Sequence, residues 1–517
     1  MLNIKKRGLL ASAGALVTTV ALAFGGAAAA QAATVDTMPT SSGLVITKLE
    51  QPKENRDSAN GLPQTGLPDG AISGVTFEAY QVPLTKNPLT NEGQKEIAGI
   101  SLAAAKKSVE GKSSARTGVT DDAGEIHWQS DAVDGKKDGE NLEAGLWLVR
   151  ETNTPAGVVA AGDFLVAVPL THPTELNNWL DTIYVYPKNH TVKGEKTVEN
   201  ADQLKVGETV TWTITVDNPS PRDPATGTSV PADMLQIVDE LDENFLTTAV
   251  DGSGVEVTAP KNLVKGTDYK VSVVSEGGKS VVTIDFEAAG LKTLAAVAPE
   301  DVQLELKTVV EQTGVIENSA RFTSSKTQTE PKEIPGTDVK YGEFAILKTS
   351  EAGSEGKTTP LKGAEFMVFA SEADAKAALN GGAALDNALK PAVTVPGYDQ
   401  KTGIWTSNGD GRIDITGLRY SGYADGESFG ESDDRFQAYW LVETKAPAEH
   451  QLLAEPYRFE ISEKSKVDIK EIVNQKDRGG FKLPLTGGTG TIMLTVAGIA
   501  LLAVVLIVAR RRQHAAE

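Results

Sequence analysis

The chain has 517 residues, with 50 Lys and Arg against 70 Asp and Glu and a formal net charge of −20. This length corresponds to about three or four domains, and the acidity argues against nucleic acid or a polyanionic surface as a partner. The lack of cysteine excludes disulfides, thiolate nucleophiles and cysteine-ligated metals, while 50 Gly and 24 Pro are typical of turn-rich β modules.

A leader precedes the first β module. Lys5, Lys6 and Arg7 come before an apolar run, and the small residues that follow end at Ala32. This order of a basic, an apolar and a small-residue region is typical of a secretory signal peptide. We predict that residues 1–32 are this signal peptide and that cleavage follows Ala32.

Two segments of the chain follow one plan and are interpreted as copies of one β module. Each begins with an apolar strand that ends in lysine, continues with a Gly-x-x-Phe strand, and later has an aromatic-rich strand that runs into Glu-Thr. Both copies close on asparagine. The residues concerned are Lys48, Glu151 and Asn189 in the first copy and Lys348, Glu443 and Asn474 in the second.

Residues 210–216, between the two copies, alternate strictly between apolar side chains and threonine, as a half-buried antiparallel strand requires. Short alternating strands between turns predict an all-β fold of three tandem immunoglobulin-like β-sandwich domains. Helical signal is sparse, with Glu372 to Leu379 as one candidate. The predicted domains are residues 33–189, 190–336 and 337–482, with residues 327–336 as the second linker.

A lysine, a carboxylic acid and an asparagine are predicted to point into the core of each of two domains, because residues two apart on a strand share a face. The sets are Lys348, Glu443 and Asn474 in the last domain, and Lys196, Asp239 and Asn318 in the middle domain. Lys193 is a rival to Lys196 but has the opposite parity.

Burial in an apolar site lowers the pKa of a lysine and raises that of a neighbouring carboxyl. A neutral amine placed against an Asn side-chain carbonyl can attack the amide carbon and expel ammonia, with a protonated carboxyl donating to the carbonyl oxygen. The product is a Lys–Asn isopeptide bond. The alternative from parity alone is a buried salt bridge beside a hydrogen-bonded Asn, or a lysine that reaches solvent at a strand end.

The sequence has only weak matches to metal-binding motifs. Residues 408–414 are similar to part of a calcium loop, but the first and twelfth ligand positions hold Thr406 and Gly417, so a glycine-rich hairpin is the better interpretation. The acidic run at residues 425–434 is interpreted as a solvated loop, with metal binding as the alternative. We expect no metal and no cofactor.

The C-terminal region holds Leu483, Pro484, Leu485, Thr486 and Gly487, then an apolar span at residues 491–509 and three arginines. The span is just long enough to cross a bilayer, with the arginines on the cytoplasmic side. The ordered set resembles the cell-wall sorting signal of Gram-positive surface proteins, which a sortase cleaves between the Thr and the Gly. The resemblance implies a sorting signal over residues 483–517; the alternative is a single-pass membrane protein with a chance pentapeptide.

Residues 439–447 resemble the E-box of Gram-positive pilins, and the last domain resembles their Cna B-type domain. The middle domain resembles the Asp-assisted pilin domain. The isopeptide bonds that this implies are Lys348 to Asn474, promoted by Glu443, and Lys196 to Asn318, promoted by Asp239. First domains of such pilins often lack the bond, so none is predicted between Lys48 and Asn189.

Residues 179–189 resemble the pilin motif, with a close match in the Val-Tyr-Pro-Lys-Asn core that contains Lys188. Pro187 ends the strand and should present Lys188 at a domain edge. The resemblance implies that a class C sortase attacks Thr486 and that Lys188 of another subunit resolves the acyl-enzyme. Repetition of this head-to-tail link makes an open filament.

The leading hypothesis is therefore the structural shaft subunit of a sortase-assembled pilus that supports adhesion, of the actinobacterial fimbrial type. Its expected partners are identical subunits, a class C and a housekeeping sortase, a minor or tip pilin, peptidoglycan, and a host glycoprotein or glycan as a candidate receptor. Its expected location is the cell wall, with a precursor held transiently in the membrane. The alternatives are a monomeric or tip wall-anchored adhesin and a secreted wall enzyme, although Glu443 and Asp239 lie in different domains and cannot form one acid/base pair.

Overall fold

The computed structural model describes residues 38–51, 59–67, 70–132, 135–175, 178–223, 226–353 and 355–477. The predicted signal peptide and the sorting signal lie outside these residues. The chain divides into two compact units. Unit 1 comprises residues 1–200, 209–311 and 315–339, and unit 2 comprises residues 201–208, 312–314 and 340–517. We call residues 38–193, 194–339 and 340–477 the first, middle and last modules; the predicted domain boundaries stay a prediction.

The first module consists of short strands and two short helices. The strands are β1 Ser41–Thr47, β2 Leu49–Glu50, β3 Thr76–Val82, β4 Arg116–Val119, β5 Glu125–Trp128, β6 Leu142–Glu143, β7 Gly145–Asn153, β8 Val158–Val159, β9 Phe164–Val168, β10 Thr182–Val185 and β11 Lys188–Thr191. The helices are α1 Asn91–Gly99 and α2 Leu102–Ser108.

Two sheets of the first module enclose its core. One has the order β10-β1-β5 and the other β4-β3-β7-β9, and β2, β11 and β8 form a smaller sheet. Leu44 and Ile46 of β1 pack with Phe77 of β3 and Val149 of β7, all of them buried. This is the sandwich arrangement in which alternate residues of two facing sheets fill one interior.

The middle module has the same layered character. Its elements are β12 Gly194–Glu199, β13 Thr209–Val216, β14 Gln236–Asp242, β15 Leu246–Thr247, β16 Val255–Ala259, β17 Tyr269–Glu276, β18 Lys279–Phe286, α3 Ala288–Val297, β19 Val302–Val310, β20 Gly314–Thr323 and β21 Lys332–Ser350. In one sheet β13 lies between β12 and β19, and the other includes β17-β18-β14-β20. The alternation predicted for residues 210–216 is observed, with Val210, Trp212, Ile214 and Val216 buried.

The last module begins on residues 340–350 of β21. The later elements are β22 Glu365–Phe369, α4 Glu372–Ala378, a 3-10 helix at Gly382–Asn387, β23 Tyr398–Asp399, β24 Ile404–Thr406, β25 Arg412–Arg419, β26 Tyr423–Ala424, β27 Glu427–Ser428, β28 Tyr439–Lys445, β29 Tyr457–Phe459 and β30 Lys470–Asn474. In one sheet β21 lies between β25 and β30, and the other has the order β23-β24-β22-β28-β29.

The two predicted copies share one topology. In the first module β1 pairs in parallel with β10 and antiparallel with β5, and in the last module β21 pairs in parallel with β30 and antiparallel with β25. The Gly-x-x-Phe strand pairs antiparallel with the aromatic-rich strand in both, as β3 with β7 and as β22 with β28. The repeated sequence pattern therefore corresponds to a repeated strand arrangement.

Helices α1, α2 and α3 are findings beyond the sequence prediction, whereas α4 was the predicted one. Thr90 and Ser101 cap the first two helices by accepting from backbone N–H groups. Helices α1 and α2 are short and bury only two residues and one residue, respectively, so their apolar periodicity is weak. In the part of the chain that the structure describes, no helix has the length and apolarity needed to cross a membrane.

The segment predicted as the second linker is partly strand. β21 begins at Lys332, inside the predicted linker at residues 327–336, and continues without interruption to Ser350. Its polar Thr/Glu/Lys/Pro composition suggested a loop, but pairing with a neighbouring strand supplies hydrogen bonds that composition alone does not reveal.

Candidate functional site: three buried triads and the Lys188 strand

Each module buries one lysine, one carboxylic acid and one asparagine against each other. We call these sets the first, middle and last triads. They consist of Lys48, Glu151 and Asn189, of Lys196, Asp239 and Asn318, and of Lys348, Glu443 and Asn474. The side chains of all three lysines are fully shielded from solvent. An ion buried this deeply needs close partners, because the protein interior solvates charge poorly.

The topology explains why these residues meet. In the last module Lys348 lies on the central strand β21, and Asn474 ends the parallel neighbour β30. Glu443 comes from β28 in the opposite sheet. Side chains that point inward from facing sheets meet in the core, so strand parity was sufficient to predict their burial.

The last triad has a continuous network of contacts. Lys348 Nζ donates to Asn474 Oδ1 and, at 3.0 Å, to the carbonyl of Ile472. Asn474 Nδ2 donates to both carboxylate oxygens of Glu443, at 2.8 and 2.9 Å. Lys348 Nζ lies 3.8 Å from Glu443 Oε1. The amine thus touches the amide that it would attack, and the carboxylate holds the other end of that amide.

The middle triad is centred on the ion pair of Lys196 with Asp239. Lys196 Nζ donates to Asp239 Oδ2 and lies 3.3 Å from the carbonyl of Ser319, the residue after Asn318. Asp239 Oδ1 and both amide atoms of Asn318 are buried without a hydrogen-bond partner of good geometry among the described residues. Buried polar atoms in that condition are rare and costly, so this pocket is incompletely satisfied as unlinked side chains.

The first triad is bridged by one carboxylate. Lys48 Nζ donates to Glu151 Oε1, and Asn189 Nδ2 donates to Glu151 Oε2 at 2.9 Å. The backbone N–H of Ala161 also donates to Glu151 Oε2, at 3.2 Å. The sequence resemblance gave no reason to expect a bond here, yet the structure brings the same three chemical types together.

Burial is the dominant cause of the pKa shifts in the triads. It lowers the pKa of Lys48 and of Lys348 to about 8, against the opposing attraction of the partner carboxylate. Burial also lowers the pKa of Lys196 and raises those of Asp239 and Glu443. Both changes favour the neutral amine and the protonated acid that amide chemistry requires.

An aromatic ring lies beside each triad lysine. The distances from Nζ to the ring centroid are 5.6 Å for Lys48 and Phe77, 5.3 Å for Lys196 and Trp212, and 5.9 Å for Lys348 and Phe366. Sequence reasoning did not assign these rings to the site, although the Phe of the Gly-x-x-Phe strand was visible in both copies. Each ring excludes water from the lysine while its face still attracts a cation.

A repeated turn fixes the backbone of two of the lysines. Lys48 N–H donates to the carbonyl of Gly124 and Lys348 N–H to that of Gly411, both at 2.7 Å. These glycines have φ of +73° and +72°, and a Cβ on them would approach the lysine carbonyl to 2.5 and 2.4 Å. Only glycine fits such a close approach at positive φ.

The same turn accounts for the segment that is similar to a calcium loop. The side-chain oxygen of Asn408 accepts from the N–H groups of Asp410 and Arg412, both at 2.9 Å. Asp121 makes the corresponding bonds to Ala123 and Glu125 in the first module. The segment is therefore a tight turn with glycine at positive φ, but the predicted hairpin is wrong, because β24 and β25 on either side of the turn pair with strands of different sheets. Among the described residues no group of His, Asp and Glu has metal-site geometry.

Lys188 and its strand lie next to the first triad. β10 ends at Val185, and Lys188 begins β11, which pairs in parallel with β2 and antiparallel with β8. The Lys188 side chain is half-buried, and its Nζ lies 3.4 Å from the carbonyl of Tyr186. Lys193, the rival of Lys196, is exposed. Thr486 and the rest of the pentapeptide lie outside the described residues.

Comparison with known proteins identifies two family matches. Residues 41–190 match the model of the Gram-positive pilin subunit D1, N-terminal domain, and residues 476–515 match the LPXTG cell wall anchor motif. The first match includes the segment that resembles the pilin motif, and the second includes the predicted sorting signal.

Two curated relatives and one solved structure extend over most of the chain. A type 1 fimbrial subunit of Actinomyces viscosus is 31% identical over 405 residues, which cover 72% of this chain and 74% of the relative. A type 2 fimbrial subunit of Actinomyces naeslundii is 27% identical over 506 residues, with 87% of each chain covered. The major pilin SpaA of Corynebacterium diphtheriae shares the fold, with a TM-score of 0.57, 20% identity, and coverage of 84% of this chain and all of that one. The chain therefore belongs to the Gram-positive fimbrial subunit family, and it is a pilin of the cell surface with a cell-wall anchor motif.

Proposed function

We propose that this chain is the repeating shaft subunit of a pilus and is linked to the next subunit through Lys188 and Thr486. In that reaction the peptide bond between Thr486 and Gly487 breaks, residues 487–517 leave, and Thr486 becomes bonded to Nζ of Lys188 in another subunit. A class C sortase carries the acyl group between the two steps. A housekeeping sortase joins the finished fibre to peptidoglycan, and a tip pilin and host receptor complete the adhesive role.

We also propose that the middle and last triads form intramolecular Lys–Asn bonds. Starting from the ion pair, a proton moves from the lysine to the carboxylate, and the neutral Nζ attacks Cγ of the asparagine. The new bond is Nζ–Cγ, the broken bond is Cγ–Nδ2, and ammonia leaves. After the reaction the carboxyl group is protonated and can donate to the new amide oxygen, so no charge stays buried.

The single observation that carries the cross-link proposal is the contact of Lys348 Nζ with the Asn474 amide, which Glu443 holds at 2.8 and 2.9 Å. An amine already in contact with its target has little orientational entropy left to lose on the way to attack. In the SpaA pilin of Corynebacterium diphtheriae, isopeptide bonds stabilise a modular pilus assembly, which supports the same chemistry here.

The positions of the two bonds suit a fibre under tension. Tension enters at Lys188 and leaves at Thr486, so it runs along the chain through the middle and last modules. A bond from Lys196 to Asn318 shortens that route by the residues between them, and a bond from Lys348 to Asn474 does the same in the last module. Both modules then carry load through covalent bonds instead of unfolding.

Two measurements test the two proposals: electrophoresis tests the polymer, and the intact mass of the monomer tests the cross-links. Cells that express the chain with its class C sortase should show a ladder of large species that resists hot detergent. Without that sortase, the monomer should have lost ammonia at the middle and last triads. A full, unmodified monomer mass would refute the cross-links, and the absence of a ladder would refute the polymer.

A further inference from the structure

We propose that strand β17 of the middle module pairs edge to edge with β17 of a second copy of this chain, in the antiparallel sense and in one register. In that register Val273 lies opposite Val273 of the other copy, and Lys270 lies opposite Glu276. In polymerised subunits, which rest on the proposed function, this contact would join two fibres side by side. The pairing itself needs neither a sortase nor the cross-links.

β17 is the outer strand of its sheet. Among the described residues its one strand partner is β18, over eight consecutive positions from Tyr269 to Glu276 and without a register shift. The strand contains no proline, and its two charged residues, Lys270 and Glu276, lie near its ends. A regular edge without charge in its centre is a template for another strand, and proteins usually interrupt such edges with proline, bulges or inward-pointing charges.

The hairpin turn after β17 determines which backbone groups face outward. Gly277 and Gly278 have φ of +62° and +82°, as both central residues of a type I′ turn require. The flanking pair, Glu276 and Lys279, therefore exchanges both of its backbone hydrogen bonds. Because such bonds alternate along an antiparallel pair, the odd-numbered residues of β17 direct their N–H and C=O groups away from β18.

Two hydrogen bonds at the start of β17 agree with this assignment. The carbonyl of the even-numbered Asp268 accepts on the β18 side, from the N–H of Glu287 at 2.8 Å. The carbonyl of the odd-numbered Tyr269 accepts from a loop instead, from the N–H of Gly266 at 2.7 Å. The outward groups that follow are those of Val271, Val273 and Ser275. In the described part of the chain, no strand or loop backbone bonds to them.

One antiparallel register satisfies all of these backbone groups. With Val273 opposite its own copy, Val271 lies opposite Ser275, and each of these pairs exchanges two hydrogen bonds. The same register places Lys270 opposite Glu276 on the exposed face of the sheet, and the two-fold symmetry repeats that pair. Opposite charges across two strands are stabilising, whereas like charges are destabilising. A shift of two residues in either direction would lose both ion pairs.

Within one chain Lys270 is already paired with Glu287. Both side chains are exposed, so this pair contributes little and leaves the lysine able to bind Glu276 of the other copy. Val274, in the centre of the strand, is 55% exposed and would be partly covered. One strand buries less surface than a stable interface needs, so two single chains should pair weakly. A fibre repeats the strand in every subunit, and weak contacts between two fibres can add.

Single cysteines test the register, because the natural chain has none. The proposed register makes Ser272 and Val274 a non-hydrogen-bonded pair with Cα atoms about 4.5 Å apart, a distance that a disulfide can span. The full-length chain would be purified in detergent from a host without a pilin sortase, once as Ser272→Cys and once as Val274→Cys. Mixed with oxidised glutathione, the two should form disulfide-linked dimers at least about tenfold faster than either chain alone.

The matched control is a mixture of Ser272→Cys with Val250→Cys, whose cysteine replaces a residue that is 82% exposed and lies outside β17. Any association through the membrane-spanning tail is the same in both mixtures. A rate equal to that of this control would overturn the pairing and leave the proposed function intact. Dimers that form fastest from one cysteine variant alone would overturn the register. Loss of the detergent-resistant ladder would refute the polymer without affecting this result.

Charge reversal tests the two ion pairs. Adding Lys270→Glu to both cysteine chains places like charges opposite each other twice and should slow dimer formation at least about fivefold. Adding Lys270→Glu together with Glu276→Lys restores opposite charges and should restore the rate. A rate that is unchanged by Lys270→Glu alone would overturn the pairing of these charges. Both residues are exposed, so the substitutions leave the core of the middle module intact.

Discussion

Lys188 and Asn189 are neighbours on β11 but have opposite environments. Asn189 is fully buried and donates to Glu151 at 2.9 Å, whereas Lys188 is half-buried on the other face of the strand. Successive residues of a strand point to opposite sides, so one short strand carries both a buried asparagine and the lysine proposed to link subunits. The positive charge of Lys188 is close enough to contribute to the lowered pKa of Lys48.

Replacing Lys188 should separate polymerisation from folding. The Lys188→Arg chain keeps the positive charge, but a guanidinium stays protonated and cannot act as the nucleophile. We expect complete loss of the detergent-resistant ladder and unchanged ammonia loss within the monomer. The matched control is Lys193→Arg, an exposed lysine nearby, which should polymerise normally. A ladder that persists in Lys188→Arg would contradict the assignment of Lys188.

The middle triad allows a direct choice between two lysines. Lys196 is buried against Asp239, whereas Lys193 is exposed. The Lys196→Arg chain should show no loss of ammonia from the middle module, because the amine that would attack Asn318 is gone. The Lys193→Arg chain should lose one ammonia from that module, as the wild type does. Peptide mass mapping of both chains is the measurement. Ammonia loss in Lys196→Arg, but not in Lys193→Arg, would assign the bond to Lys193 instead.

The last triad should react at a rate that is level near neutral pH and falls above about pH 8. The reactive state has a neutral Lys348 amine and a protonated Glu443 carboxyl. It differs from the ion pair only in which of the two groups holds the shared proton, so the ratio of the two states does not change with pH. Burial lowers the pKa of Lys348 to about 8, so above that pH the pair loses its proton and the rate should fall about tenfold per unit. Below the raised pKa of Glu443 the pair gains a second proton, and the rate should fall again.

A cell-free system that makes the full chain supplies unreacted protein for this measurement. Ammonia loss from the last-module peptides would be followed by mass spectrometry after a jump in pH. A rate that continues to rise above pH 8 would show that neutralisation of the amine alone is limiting and that the carboxyl proton is not needed.

The glycine turn should control how quickly the last bond forms. In Gly411→Ala a Cβ would lie 2.4 Å from the carbonyl oxygen of Lys348, so the backbone must shift and the amine with it. We expect formation of the last amide to slow at least about tenfold, since small misplacements of a reacting group are costly. Gly409→Ala is the matched control, because its Cβ meets nothing within 4 Å. Equal rates in the two variants would exclude a positioning role for Gly411.

Sequence reasoning found most of the site because its signals are local. The period of two along a strand placed Lys348, Glu443 and Asn474 on apolar faces, and all three are buried. The repeat of strand patterns predicted the shared topology of the first and last modules. The short helices α1 and α2 were missed because each buries so few residues, and the start of β21 was missed because polar residues there form a strand.

The sequence by itself determined the chemical inventory, the strand faces and the family signals at both ends, since each of these depends on neighbours along the chain. Only the tertiary structure decided which groups touch. Lys48 and Asn189 are 141 positions apart in the numbering, and their meeting at Glu151 depends on how two sheets pack. The tight approach of Gly124 to Lys48 is decided in the same way. Distances between remote segments come from packing, and that packing brought together the three side chains that the sequence could only list.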